Sequence, residues 1–175
     1  GNQFLGNIRE CDAIIHVLRC FDNGNIVHVD GSVDPVRDKE IIDTELQLKD
    51  LETVETRIKR VEKLANVGGD KQAKIEYGLL LRYKEALEQG KSARVVELEN
   101  EEEVAASKNM FLLTTKPVLY VCNVDDTSAK EGNQYVDAVR NAIQGEDAEL
   151  IIISAQTEAD IADLETYEEK QMFLE

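Results

Sequence analysis

The sequence predicts an α/β protein, a parallel sheet with helices and an inserted α-helical coiled-coil hairpin. Two observations carry this reading. Short apolar runs alternate with amphipathic helical stretches towards both ends of the 175-residue chain, the pattern of a parallel sheet with right-handed crossovers. Between them lies a long stretch with apolar residues every third or fourth position and no proline between Pro35 and Pro117. Glycines at Gly68-Gly69 and Gly90 punctuate it, as expected of successive helices joined by short turns.

Each element follows from local pattern. Phe4, Leu5 and Ile8 share one helical face, so residues 1–10 read as a helix. Residues 13–18 are apolar except for His16 and rich in β-branched side chains, which predicts a strand covered on both faces. Asn23-Gly24 marks a turn. Asp34 can cap a helix whose first position is Pro35. Its seam is Leu51, Val54, Ile58, Val61 and Ala65, a narrow stripe close to a coiled-coil pattern. A second helix over residues 70–89 places Ile75, Leu79, Leu80, Tyr83 and Leu87 on one side and folds back antiparallel. A shorter helix over 100–109 leads back to the sheet. Residues 118–122 and 150–153 read as strands. A helix over 135–143 lies between them, with Val136, Val139 and Ile143 inward, and another over 157–164 follows, capped by Thr157. Residues 167–175 also read as helical. Residues 1–34 and 111–175 therefore form the α/β part, and 35–110 the helical insertion. The chain opens without Met on a helix already under way, and it reads as an internal piece of a longer protein.

Composition narrows the function. Hydrophobic residues make 42% and charged residues 32%, a soluble globular balance. No apolar run reaches the ~18–20 residues of a membrane span. With 20 Lys and Arg against 36 Asp and Glu, the formal net charge of −16 opposes direct DNA binding by this chain. Three cysteines fit a reducing cytoplasm, so the expected location is cytoplasmic.

Open α/β sheets bind ligands at the C-terminal ends of their strands. One predicted strand runs into Asn123-Val124-Asp125-Asp126, and the next into Ser154-Ala155. An Asn amide can bond the edge of a purine, and an acid three residues on can accept from a base N–H. Backbone N–H groups at Ser154 and Ala155 can meet the same base. The same residues also read as plain turn chemistry at a strand end. Residues 11–21 (CDAIIHVLRCF), Ile26-Val27-His28-Val29, Gly31-Ser32-Val33-Asp34-Pro35, Thr44-Glu45-Leu46, Gly68-Gly69-Asp70-Lys71 and Lys116-Pro117 follow one another in order. Together they resemble the Obg-like ATPase (YchF) family of translation-factor P-loop NTPases, along the whole chain.

That resemblance implies a Ras-like G domain with a helical coiled-coil insertion, ATP or GTP as ligand, Mg²⁺, and association with a ribosome or ribosomal subunit. It implies base reading at Asn123, Val124, Asp126, Ser154 and Ala155. The family's N-x-x-E appears here with Asp126 in the fourth position, and Val124 stands where ordinary GTPases place a Lys. No G-x-x-x-x-G-K-[ST] occurs in these residues. The Mg²⁺ ligands and phosphate cradle are therefore expected upstream, and no catalytic residue is assigned here. The whole protein is expected to be a P-loop ATP/GTP hydrolase and this chain alone inactive. The other reading is a non-catalytic helical-hairpin interaction module mounted on an α/β domain.

Three further patterns read as structural. His16 and Cys20 lie four residues apart on one face of a strand, about 13 Å, too far to share a metal ion. Arg57, Lys59, Arg60 and Lys63 read as a solvated face with pairs such as Glu55–Lys59. Glu97, Glu99, Glu101, Glu102 and Glu103 read as solvated charge.

Overall fold

The computed structural model describes residues 11–22 and 32–154. The helices expected over 1–10, 157–164 and 167–175, the Asn23-Gly24 turn and His28 lie outside them. In chain order the elements are β1 (Ile14–Arg19), α1 (Pro35–Asn66), α2 (Lys71–Glu88), α3 (Glu101–Lys108), β2 (Val118–Val124), α4 (Gln134–Ala142) and β3 (Glu149–Ser154), with 3₁₀ turns at Ala93–Val95 and Asp126–Ser128. Two compact units emerge, Gly1–Ile14 with Glu40–Pro117, and Ile15–Lys39 with Val118–Glu175. Among the described residues no helix is long and apolar enough to cross a membrane.

In the first unit α1 and α2 run antiparallel. Arg57 donates to Glu76 near the start of α2 at 2.8 Å, and the earlier Gln47 donates to Ser92, just past the end of α2, at 3.1 Å, so the chain retraces its path. Val54, Leu79, Leu80, Tyr83, Leu87, Ala106, Met110 and Leu112 form its core, each large side chain contributing roughly 1.5–3 kcal/mol by leaving water. Caps fix the helix ends. Asp34 accepts from the Arg37 N–H at 3.0 Å and Asp70 from the Ala73 N–H at 3.2 Å. Gly90, at φ +76, lets the Lys91 N–H reach the Ala86 carbonyl at 3.0 Å and the Gly90 N–H reach Leu87 at 3.0 Å, a paired closure that needs a left-handed residue.

Two charge patterns differ from the sequence expectation. Arg57 pairs across the hairpin with Glu76, and no Glu55–Lys59 pair forms. Glu103 is buried, holding the Glu99 N–H at 2.8 Å and the Arg82 guanidinium. It lies in the first turn of α3, where the Asn100 side chain accepts from the Glu103 N–H at 2.9 Å. Its position at a helix start with partners on both sides is what takes it out of water.

In the second unit the sheet order is β1-β2-β3. β2 and β3 are parallel, from Leu119 opposite Glu149 to Val124 opposite Ser154. The Ile14 N–H bonds Pro117 at 2.9 Å and the Cys20 N–H bonds Asn123 at 2.8 Å, so β1 advances in step with β2. Val136, Val139 and Ile143 of the α4 segment pack on Leu18, Cys20, Tyr120, Cys122 and Val124. β1 is not covered on both faces: Ile15 and Val17 are 65% and 55% exposed. The period of two sends His16, Leu18 and Cys20 towards α4 and those two the other way. His16 lies against the Tyr120 ring, centroids 5.7 Å apart. Cys20 shares a hydrogen bond with Cys122, which together with burial pushes the Cys20 thiol up.

Candidate functional site

Three strand ends form the region of interest, all in the sheet unit. Asn123 and Val124 are the last residues of β2, opposite Ile153 and Ser154 of β3. The strand thus runs two residues further than the apolar run suggested, because the ladder with β3 continues to Ser154. Asn123 is half-buried at this edge. Val124 is fully buried in the sheet cluster, leaving only its backbone for a ligand. Asp125 accepts from the Ser128 N–H at 3.2 Å and so starts the 3₁₀ turn. Asp126, exposed on that turn, accepts a hydrogen bond from the Ser154 hydroxyl. The acid of N-x-x-D and the serine of the next strand end therefore meet directly. Ala155 lies outside the described residues.

The end of β1 adds groups that the sequence reading missed. Asn133 accepts from the Tyr135 and Val136 N–H groups at 3.0 and 3.1 Å, capping α4, while its amide donates to the Cys20 carbonyl at 2.7 Å. An Asn just before an amphipathic helix was a readable cap signal; its second bond, to a strand end, was not. The Tyr135 hydroxyl donates to Asp22 at 2.7 Å, and that bond holds the hydroxyl above its ordinary value. Arg19 stacks its guanidinium 4.7 Å over the Phe21 ring. Its Nε and Nη2 are buried without a hydrogen-bond partner among the described residues.

These ends offer an amide at Asn123, a carboxylate at Asp126 and a hydroxyl at Ser154. A carboxylate has lone pairs on both oxygens, so the bond from Ser154 orients Asp126 and leaves it acceptor capacity. This mixture of donor and acceptor groups suits the polar edge of a heterocyclic base. Among the described residues no group of three or more His, Cys, Asp or Glu side chains could hold a metal ion, so no Mg²⁺ ligand is assigned here.

No protein-family model matches the chain. Individual relatives match it along its length. The ribosome-binding ATPase YchF of Bacillus subtilis is 51% identical over 177 residues, covering 100% of this chain and 48% of its own. The protein of the same name from Escherichia coli O157:H7 is 46% identical over 175 residues, covering 100% and 47%. The chain is homologous to the YchF-type Obg-like ATPases. Obg-like ATPase 1 of Caenorhabditis elegans extends the likeness to an animal, at 40% identity over 154 residues, 87% of this chain and 39% of that one. The solved YchF GTPase of Schizosaccharomyces pombe superposes with a TM-score of 0.79 at 32% identity, covering 98% of this chain and 47% of its own. The α/β fold is thus that of a YchF protein, and the chain spans about half the length of these YchF relatives.

Proposed function

We propose that this chain carries the base-reading part of a purine nucleotide site in a ribosome-associated ATPase or GTPase. The observation that carries the reading is the hydrogen bond from Ser154 to Asp126, beside Asn123, at the ends of adjacent parallel strands. The names of the relatives, ribosome-binding ATPase and GTPase, supply the class. On this reading Asn123 bonds the purine edge, Asp126 accepts from a base N–H, and the backbone of Val124, Ser154 and Ala155 completes the rim. Residues 1–34 and 111–175 make the nucleotide-binding part, and 35–110 the insertion that meets a partner on the ribosome. Bound Mg²⁺ neutralises phosphate charge in such hydrolases, and its ligands are assigned outside this chain. This chain by itself is proposed to be catalytically silent, since no phosphate-cradling motif is among its residues. The proposed location is the cytoplasm.

Asp126→Ala in the whole protein tests this. Loss of a charged acceptor should weaken ATP or GTP binding by about 1.5–3 kcal/mol, roughly ten- to a hundredfold. Calorimetric titration of the folded variant measures it, and unchanged affinity for both nucleotides would end the assignment. A second reading, a hairpin that serves only to bind another protein, is favoured by Leu64 and Val67 near the hairpin tip, 53% and 86% exposed. A whole protein that binds no purine nucleotide would favour that reading.

A further inference from the structure

A cavity of about 650 Å³ opens in the helical unit, beside α3 and the segment that precedes β2. That is within the usual range for small-molecule sites. Its floor is apolar, with Val104 and Leu112. Among the described residues its wall carries three cations, Arg94, Lys108 and Lys116, against a single carboxylate, Asp12. Such a concentration of positive charge is unexpected in a chain of net charge −16.

Two of the three cations are tied to backbone carbonyls. Arg94 Nε donates to the Lys116 carbonyl at 3.0 Å, and Lys116 Nζ donates to the Cys11 carbonyl. Among the described residues none of the three pairs with a carboxylate. Phe111 also lines the cavity. It is 60% exposed and adopts φ +53, a left-handed conformation that a bulky aromatic rarely takes. The chain just after it is pinned, since Asp50 accepts the Leu113 and Thr114 N–H groups at 2.7 Å each. An aromatic ring held in a strained conformation and left out of the core is a pattern found at ligand sites.

We propose that this cavity binds a nucleoside monophosphate, its base against Phe111 and its phosphate among Arg94, Lys108 and Lys116. An exposed aromatic offers a stacking surface to any base. A phosphate ester brings close to two negative charges, which a cluster of cations can match. A free nucleotide fits better than an RNA strand, because the whole-chain charge repels a long polyanion. The site is separate from Asn123 and Asp126 and does not rest on the purine reading.

The test uses uridine 5′-monophosphate, a pyrimidine probe, titrated into the whole protein and followed by amide NMR shifts. Saturable shifts centred on residues 94–116, with a roughly millimolar or tighter dissociation constant, are expected. Phe111→Gly should weaken binding at least tenfold while raising the melting temperature by a few degrees, because glycine takes a positive φ freely. Lys108→Ala should weaken binding several-fold with the melting temperature unmoved. Phe111→Gly that binds like the parent, an absence of saturable shifts, or shifts confined to residues 122–126 would overturn the proposal. The last pattern would place the nucleotide at the strand ends instead. An oligouridylate that binds more than tenfold tighter than the monophosphate would overturn it in favour of an RNA surface.

Discussion

In the helical unit a buried carboxylate organises backbone; in the sheet unit buried charge is paired with opposite charge. Asp50, 1% exposed, accepts from the Leu113 N–H, the Thr114 N–H and the Thr114 hydroxyl at 2.7, 2.7 and 2.6 Å. Thr114 in turn accepts from the Ala93 N–H at 2.8 Å. Lys39, its side chain 9% exposed, pairs with Glu146 at 3.0 Å and lies 5.5 Å from the centre of the Tyr120 ring, whose hydroxyl also donates to Glu146 at 2.7 Å. The difference follows from what each backbone needs. Residues 111–115 belong to no helix or strand, so their buried N–H groups require a partner from elsewhere. Strands satisfy one another, so the Lys39 pair serves the side chains alone.

The largest expected effect tests that difference. Asp50→Ala strands two buried N–H groups and a hydroxyl, and should cost the folded chain about 3–5 kcal/mol. Urea unfolding of parent and variant measures it. A loss under about 1 kcal/mol would mean that water or another side chain replaces the carboxylate, and the comparison would fail. Lys39→Met should cost less, about 1–2 kcal/mol. Methionine fills the stem's volume, and Glu146, with a quarter of its side chain exposed, keeps the Tyr120 hydroxyl and access to water. A loss equal to that of Asp50→Ala would show that the sheet unit depends on a polar clamp just as much.

How far the sequence could be read follows the same division. The hairpin was legible because its signals are local: Asp34 before Pro35, the stripe from Leu51 to Ala65, and glycines at the turns. Strand identity was legible too, from β-branched apolar runs. Strand ends were not. A ladder continues for as long as its neighbour does, so Asn123 and Val124 lie inside β2 only because β3 reaches Ser154. Side chains that act across long sequence separations were equally invisible. Asp50 reaches residue 114, and Asn133 reaches Cys20. At the candidate site the acid and the serine were legible as residues at strand ends, whereas their hydrogen bond is a product of register. Glu103 shows the converse: in a run of acids, composition suggested solvent, and only the cap and Arg82 decide otherwise.

The smallest expected effect concerns that glutamate, and it asks whether the helical unit also depends on a carboxylate paired with opposite charge. The Glu99 N–H bond, opposed by burial and aided by Arg82, holds the Glu103 carboxyl below its ordinary value of 4.5. A carboxyl lowered in the folded state stabilises fully above its unfolded value. That stabilisation is lost as pH falls from about 4.5 through the lower folded value. Glu103→Gln keeps the shape and removes the charge. It should cost about 1 kcal/mol at neutral pH, with the gap between parent and variant closing as the pH is lowered through that window. Thermal melts from pH 7 to pH 3 would show it. A gap that stays constant over the range would mean that Glu103 acts by packing and a neutral hydrogen bond alone.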